Sequence, residues 1–163
     1  MQKNEEAIAS LWLWDVPFIA FEGPLPPISP LPPEKLLAAL IQSKSGRLRL
    51  GAIAFLLRHP EKAESVRPAL TSIDEETALL LKYYYTAAVY LQRHWKSALY
   101  DRTPPMLPDY FSAELRLPPP SLLHGKIGLH ALEQALQEKS AQPFDYLSQF
   151  ESVVQNLRLR AHA

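Results

Sequence analysis

Histidine is the residue type in this sequence best suited to metal binding or proton transfer. The five histidines are spread along the chain at His59, His94, His124, His130 and His162. Among the histidines, only His130 has a second metal-ligating side chain three or four residues away, Glu133, and a zinc site takes at least three protein ligands. We therefore predict no metal site and no cofactor.

Nucleophilic and phosphate-transfer chemistry have no better support. The chain has no cysteine, and no serine lies in a Gly-x-Ser-x-Gly elbow. Gly125-Lys126 resembles the end of a phosphate-binding loop, but that loop needs glycine at position 120 and serine or threonine at position 127, where Pro120 and Ile127 stand. These mismatches favour a non-catalytic protein over an enzyme.

Four basic residues form the most distinctive charged group. Arg47, Arg49, Arg58 and Lys62 lie in one short region of a chain whose Lys plus Arg and Asp plus Glu both total 17. Arg47 and Arg49 fall in the first turn of a predicted helix, where positive charge opposes the helix dipole. This arrangement predicts an anionic partner. That partner is either intramolecular, in the acidic N-terminal region or at residues 74–76, or the phosphate backbone of a nucleic acid.

Tyrosine dominates the longest segment without proline or glycine, residues 74–100. Three consecutive tyrosines, Tyr83 to Tyr85, span about 200° of a helix, so at least one must face away from the main apolar stripe. They are interpreted as core residues whose hydroxyls reach polar partners. The alternatives are a protein interface that includes Tyr85 and Tyr90, and a tyrosine-lined pocket for a small molecule that uses His94 or His130.

The N-terminal 33 residues combine a short helix, at about 4–14, with an extended, proline-rich arm. Residues 24–33 contain six of the sixteen prolines, which favours a stiff polyproline II connection. The region is also aromatic, and we predict that it contacts a partner through Trp12, Trp14, Phe18 and Phe21.

The remaining pattern predicts an all-α fold. Apolar residues recur at helical spacing, and no alternating strand pattern of useful length is present. We predict one domain, a compact bundle of six to eight helices over residues 34–163 around a long central helix at about 74–100. The flanking helices are predicted at 34–43, 47–59, 61–70, 126–140 and 143–160.

The function predicted from these features is that of a helical interaction protein, which self-associates as a dimer or binds another protein through its aromatic residues and N-terminal arm. The first alternative is a nucleic-acid-binding protein or an accessory subunit of a nucleic-acid enzyme, and the second is a small-molecule-binding protein. The N-terminus lacks the basic-then-apolar order of a signal peptide, and no apolar run approaches the length of about 20 residues that a membrane span needs. A cytoplasmic location is therefore expected.

Overall fold

The computed structural model describes residues 3–139 and 145–161, without the side chains of 159–161. Within this part of the chain the fold is all-α, as predicted, with two short 3-10 helices and no strand. The α-helices are α1 (Lys3–Leu13), α2 (Pro33–Gln42), α3 (Gly46–Arg58), α4 (Val66–Thr71), α5 (Glu75–Leu99), α6 (Lys126–Lys139) and α7 (Tyr146–Ala161). None of the helices in the described ranges is long and apolar enough to cross a bilayer.

Helices α2 and α3 begin at residues that suit a helix start. Pro33 occupies the first position of α2, where its missing N–H costs nothing and its fixed φ is already helical. Ser45 caps α3, because its side chain accepts a hydrogen bond from the Leu48 amide at 3.3 Å. The interior of α3 is buried on every face from Leu50 to Leu57, since α2, α5 and α7 all pack against it.

Helix α5 is the longest of the described helices, at 25 residues. Asp74 caps it by accepting a hydrogen bond from the Thr77 amide at 2.7 Å, and this bond holds the pKa of the Asp74 carboxyl below its usual value. Every residue from Tyr83 to Gln92 is buried. Burial on all faces follows from its neighbours, because α3, α6, α7 and the 3-10 turn at Leu122–Gly125 all pack on α5.

The helix predicted at 61–70 is wrong as a single element. Residues Pro60–Ser65 form a 3-10 helix, and the α-helix begins only at Val66. Pro68 gives the physical reason: it has no N–H, and its ring clashes with the carbonyl four residues earlier, so an α-helix tolerates it only in the first turn. The α-helix therefore starts two residues before Pro68.

Helices α6 and α7 are joined by a side-chain contact. The Leu147 amide in the first turn of α7 donates a hydrogen bond to Glu133 Oε2 of α6 at 2.6 Å. Negative charge is favourable at this end of a helix. The predicted start of the last helix at Pro143 lies outside the described residues, and the described part of that helix begins at Tyr146.

Candidate functional site

The candidate site is the contact between residues 14–21, called here the arm segment, and the surface of α3. The chain leaves α1 by a sharp turn: Asp15 has a φ of 62°, and the Val16 amide donates back to the Leu11 carbonyl at 2.8 Å. This turn directs the arm segment across the helical body. Val16 and Phe18 are buried, whereas Trp14 and Phe21 are half-buried.

Two indole N–H groups hold the N-terminal region in place. Trp12 Nε1 donates to the Ile19 carbonyl at 2.7 Å, which ties the end of α1 to the arm segment. Trp14 Nε1 donates to the Leu31 carbonyl at 2.9 Å, and the Leu31 amide donates to Ser10 Oγ at 3.0 Å. The proline-rich connection is therefore fixed to α1 at its far end.

The Trp14 ring lies against α3 and the turn that follows it. Its centroid is 5.7 Å from that of Phe55 and 5.5 Å from that of His59, both edge-to-face. His59 Nε2 lies 2.5 Å from the Trp14 carbonyl oxygen, and Nδ1 lies 3.0 Å from Glu61 Oε1. The imidazole is thus a bridge between the arm segment and the start of the 3-10 helix.

Three of the four predicted basic residues contact the arm segment. Arg58 forms an ion pair with Asp15 at 2.8 Å. The Arg47 guanidinium lies 4.2 Å from the centroid of the Phe18 ring and donates to the Phe18 carbonyl at 3.4 Å. Lys62 Nζ lies 5.8 Å from the centroid of the Trp14 ring. Cations over aromatic faces are attracted by the ring quadrupole.

The fourth basic residue, Arg49, points elsewhere and donates to the Ser43 carbonyl at 2.8 Å. Three of the four basic side chains thus contact the chain's own N-terminal region. A carboxylate supplies only one of these contacts. Aromatic rings and carbonyl oxygens supply the others, and the sequence pattern does not predict them.

Tyr85 and Tyr90 are fully buried, so neither presents a surface to a partner in this structure. The Tyr85 hydroxyl donates to the Pro108 carbonyl at 2.6 Å, and the Tyr90 hydroxyl donates to the Pro118 carbonyl at 2.7 Å. The face of α5 around Tyr85 is covered within the chain, because the Tyr110 ring stacks on the Tyr85 ring and the Phe111 ring lies edge-to-face with it, at centroid distances of 5.2 Å and 5.5 Å.

Burial raises the pKa of the phenols Tyr84, Tyr85 and Tyr90, and it raises the pKa of Tyr100 to about 12. The Tyr100 hydroxyl donates to the Leu57 carbonyl at 2.6 Å. Unfolded tyrosines ionise near pH 10, so above that pH the unfolded chain loses its proton before the folded chain does. The stabilising contribution of Tyr100 is thus complete below about pH 10 and is lost as the pH rises towards 12.

We expect the urea midpoint of unfolding to fall between pH 9 and pH 11.5, and phenolate absorbance to appear together with loss of helical circular dichroism. Tyr100→Phe should show a smaller fall over the same interval, because it removes one of the buried ionising groups. An equal fall in both proteins would contradict the assignment to Tyr100.

A surface cleft of about 300 Å³ lies between α5, α6 and the start of α7. Tyr83 and Tyr146 line it together with Leu79, Leu80 and Leu136. The cleft thus has two tyrosines in its lining, although neither His94 nor His130 lines it. In the described ranges, no group of three or more histidine, aspartate or glutamate side chains is placed to hold a metal ion.

Sequence reasoning missed two surface features. Leu122, Leu123 and Ile127 are exposed at 44%, 64% and 39%, at the start of α6. A groove of about 780 Å³ at the start of α5 carries four carboxylates, those of Asp74, Glu75, Glu76 and Glu114. The sequence does contain a signal for the exposed apolar residues, because Leu122 and Leu123 lie between a run of three prolines and Gly125. Proline and glycine mark turns, and a leucine pair in a turn has little core beneath it.

No protein family model, curated protein or solved structure matches this chain.

Proposed function

We propose that this protein is a non-catalytic helical interaction protein that self-associates by exchange of its N-terminal arm. Helix α5 is the central element of the body, and residues 1–33 are the arm that one copy places on the α3 surface of another. The observation that supports this proposal is that residues 14–18 make an ion pair, a hydrogen bond and two cation–ring contacts with one surface of α3 and the turn that follows it.

The contacts are specific enough to act as a recognition sequence. A buried aromatic ring, a buried valine, an ion pair and a hydrogen-bonded carbonyl all come from five consecutive residues of the arm segment. Tryptophan is among the residue types that most often dominate the binding energy of an interface, and the Trp14 ring packs edge-to-face on Phe55 and His59. The same surface of α3 would make the same contacts with the arm of a second copy, so exchange requires no new complementary surface.

The connection between arm and body also favours exchange. Residues 24–33 contain six prolines, whose fixed φ angles keep this stretch extended. Because Leu31 is bonded to Ser10 and Trp14, this connection moves with the arm, and the change of backbone conformation on exchange falls at Pro32 and Pro33, where α2 begins. The balanced charge, 17 basic against 17 acidic residues, adds no long-range repulsion between copies.

Covalent cross-linking tests this proposal, because the chain has no cysteine and two can be introduced without background. Asp15→Cys/Arg58→Cys places one thiol on the arm segment and one on α3. It removes an exposed ion pair that contributes only about 0–1 kcal/mol, and cysteine on the left-handed backbone at position 15 adds a cost of about 1–2 kcal/mol that the single variant Asp15→Cys shares. Treatment with a short bismaleimide should give cross-linked dimers whose fraction rises with protein concentration before treatment.

The single variants Asp15→Cys and Arg58→Cys are the matched controls, and they should give little cross-linked dimer. Two differently tagged populations of the double variant, mixed and incubated before treatment, should form mixed dimers. Cross-linked monomer alone at every concentration, with a monomer mass by light scattering, would show that the arm stays on its own body.

A further inference from the structure

Leu123 has both a backbone conformation and a side-chain exposure that are unfavourable for leucine. Its φ is 43°, in the left-handed region, and the next residue, His124, has a φ of 51°. A left-handed backbone is unfavourable for a residue with a Cβ, and asparagine or glycine would occupy it more readily. Leucine is also a poor choice for solubility at a position that is 64% exposed. Leucine at position 123 is thus unfavourable on two independent grounds.

Leu122 and Ile127 extend this exposed apolar surface, and we call the three residues the apolar patch. The patch has a basic neighbour in Lys126, which is exposed one residue before Ile127, and residues 121–127 contain no acidic residue. A partner for the patch should therefore combine apolar and acidic groups.

The groove at the start of α5 has that chemistry. Glu75 and Glu76 are exposed on its wall, Leu79 lines it, and Glu114 faces it from the segment before α6. Lys82, the one basic residue in its lining, is paired with Glu114 at 2.5 Å. The groove thus presents acidic side chains around an apolar side chain, which is the complement of the patch and its basic surroundings.

The patch cannot occupy the groove of its own chain. The turn that carries Leu123 is fixed near Tyr90, since an added Cβ on Gly125 would lie 2.5 Å from the Tyr90 carbonyl oxygen. Leu79 precedes Tyr90 by eleven residues on α5, which corresponds to about 16 Å along the helix axis. The two complementary surfaces are therefore separate on one copy and can meet only between copies.

We propose that the apolar patch of one copy binds the acidic groove of a second copy, head to tail. The two surfaces are different, so the contact is heterologous and leaves one free patch and one free groove after each addition. This contact goes beyond arm exchange and does not depend on it, because neither surface includes residues of the arm segment.

Leu123→Asn should weaken this contact without destabilising the fold. Asparagine accepts a left-handed backbone, so the thermal midpoint should stay unchanged or rise. Loss of the leucine side chain that the contact would bury should weaken head-to-tail association of the full chain by about tenfold or more, measured by sedimentation velocity over a concentration series. Leu123→Met, which keeps an apolar side chain of similar size on the same backbone, is the matched control and should associate like the parent protein.

Reversing the charge at Lys126 and at Glu76 tests whether the groove of one copy binds the patch of another. Lys126→Glu and Glu76→Lys should each weaken association and reduce its dependence on salt, whereas the two variants mixed together should associate better than either alone. Association of Leu123→Asn equal to that of the parent, or a parent protein that shows no head-to-tail species, would overturn the proposal. Arm-exchanged dimers, detected by the cross-link between positions 15 and 58, should persist in Leu123→Asn, so failure of one contact is distinguishable from failure of the other.

Discussion

Gly128→Ala is expected to lower the free energy of unfolding by about 3 kcal/mol or more, the upper part of the range for overpacked cores. Gly128 lies in the first turn of α6, and a Cβ placed there would overlap ring atoms of Tyr90. The ring has little freedom to move, because its hydroxyl is bonded to the Pro118 carbonyl and Gly125 packs on its backbone. Alanine normally favours a helix, so the sign of the effect comes from packing alone.

Urea denaturation followed by circular dichroism measures this effect. Gly46→Ala is the matched control, since a Cβ at position 46 meets only the end of the Arg49 side chain at 3.6 Å. That variant should be neutral or stabilised by up to about 1 kcal/mol. Tyr90→Leu in the Gly128→Ala background should recover part of the loss, because the two changes share one space. Equal stability of Gly128→Ala and Gly46→Ala would refute the close packing of α6 on Tyr90.

Gln92→Leu is expected to cost about 2–4 kcal/mol, because it leaves more than one buried polar group without a partner. The Gln92 side chain is fully buried on α5. Its Oε1 accepts a hydrogen bond from the Leu107 amide at 2.7 Å, and its Nε2 donates to the Pro105 carbonyl at 3.1 Å. The Gln92 side chain therefore holds residues 105–107, which lead directly to the residues 108–111 that cover Tyr85.

Differential scanning calorimetry and hydrogen exchange distinguish a local from a global effect. The Leu107 amide should lose protection in Gln92→Leu beyond the loss that global destabilisation explains. Gln42→Leu is the control, because Gln42 is exposed and its side chain bonds only to the Ala38 carbonyl of its own helix. A Gln92→Leu protein as stable as Gln42→Leu would show that the segment at 105–107 is held by other means.

The amino-acid sequence determined the local structure of this protein. Helical spacing of apolar residues, Ser45 and Asp74 at helix starts and prolines at helix ends are local signals, and the all-α class follows from them. The position of Pro68 also indicates the break between the 3-10 helix and α4, although the prediction of one helix at 61–70 did not use it. Such features depend on residues within one helical turn, so the sequence is sufficient to specify them.

Only the tertiary structure decided which distant residues meet. Three basic side chains contact an arm segment about 30–50 positions away, Tyr85 is covered by residues 108–111, and Leu123 remains exposed. A helical pattern shows that a face is apolar or charged, but it does not show what covers that face, because many segments have compatible chemistry. The final choice depends on chain connectivity and close packing, such as Gly128 against Tyr90, which become visible only when the helices are assembled.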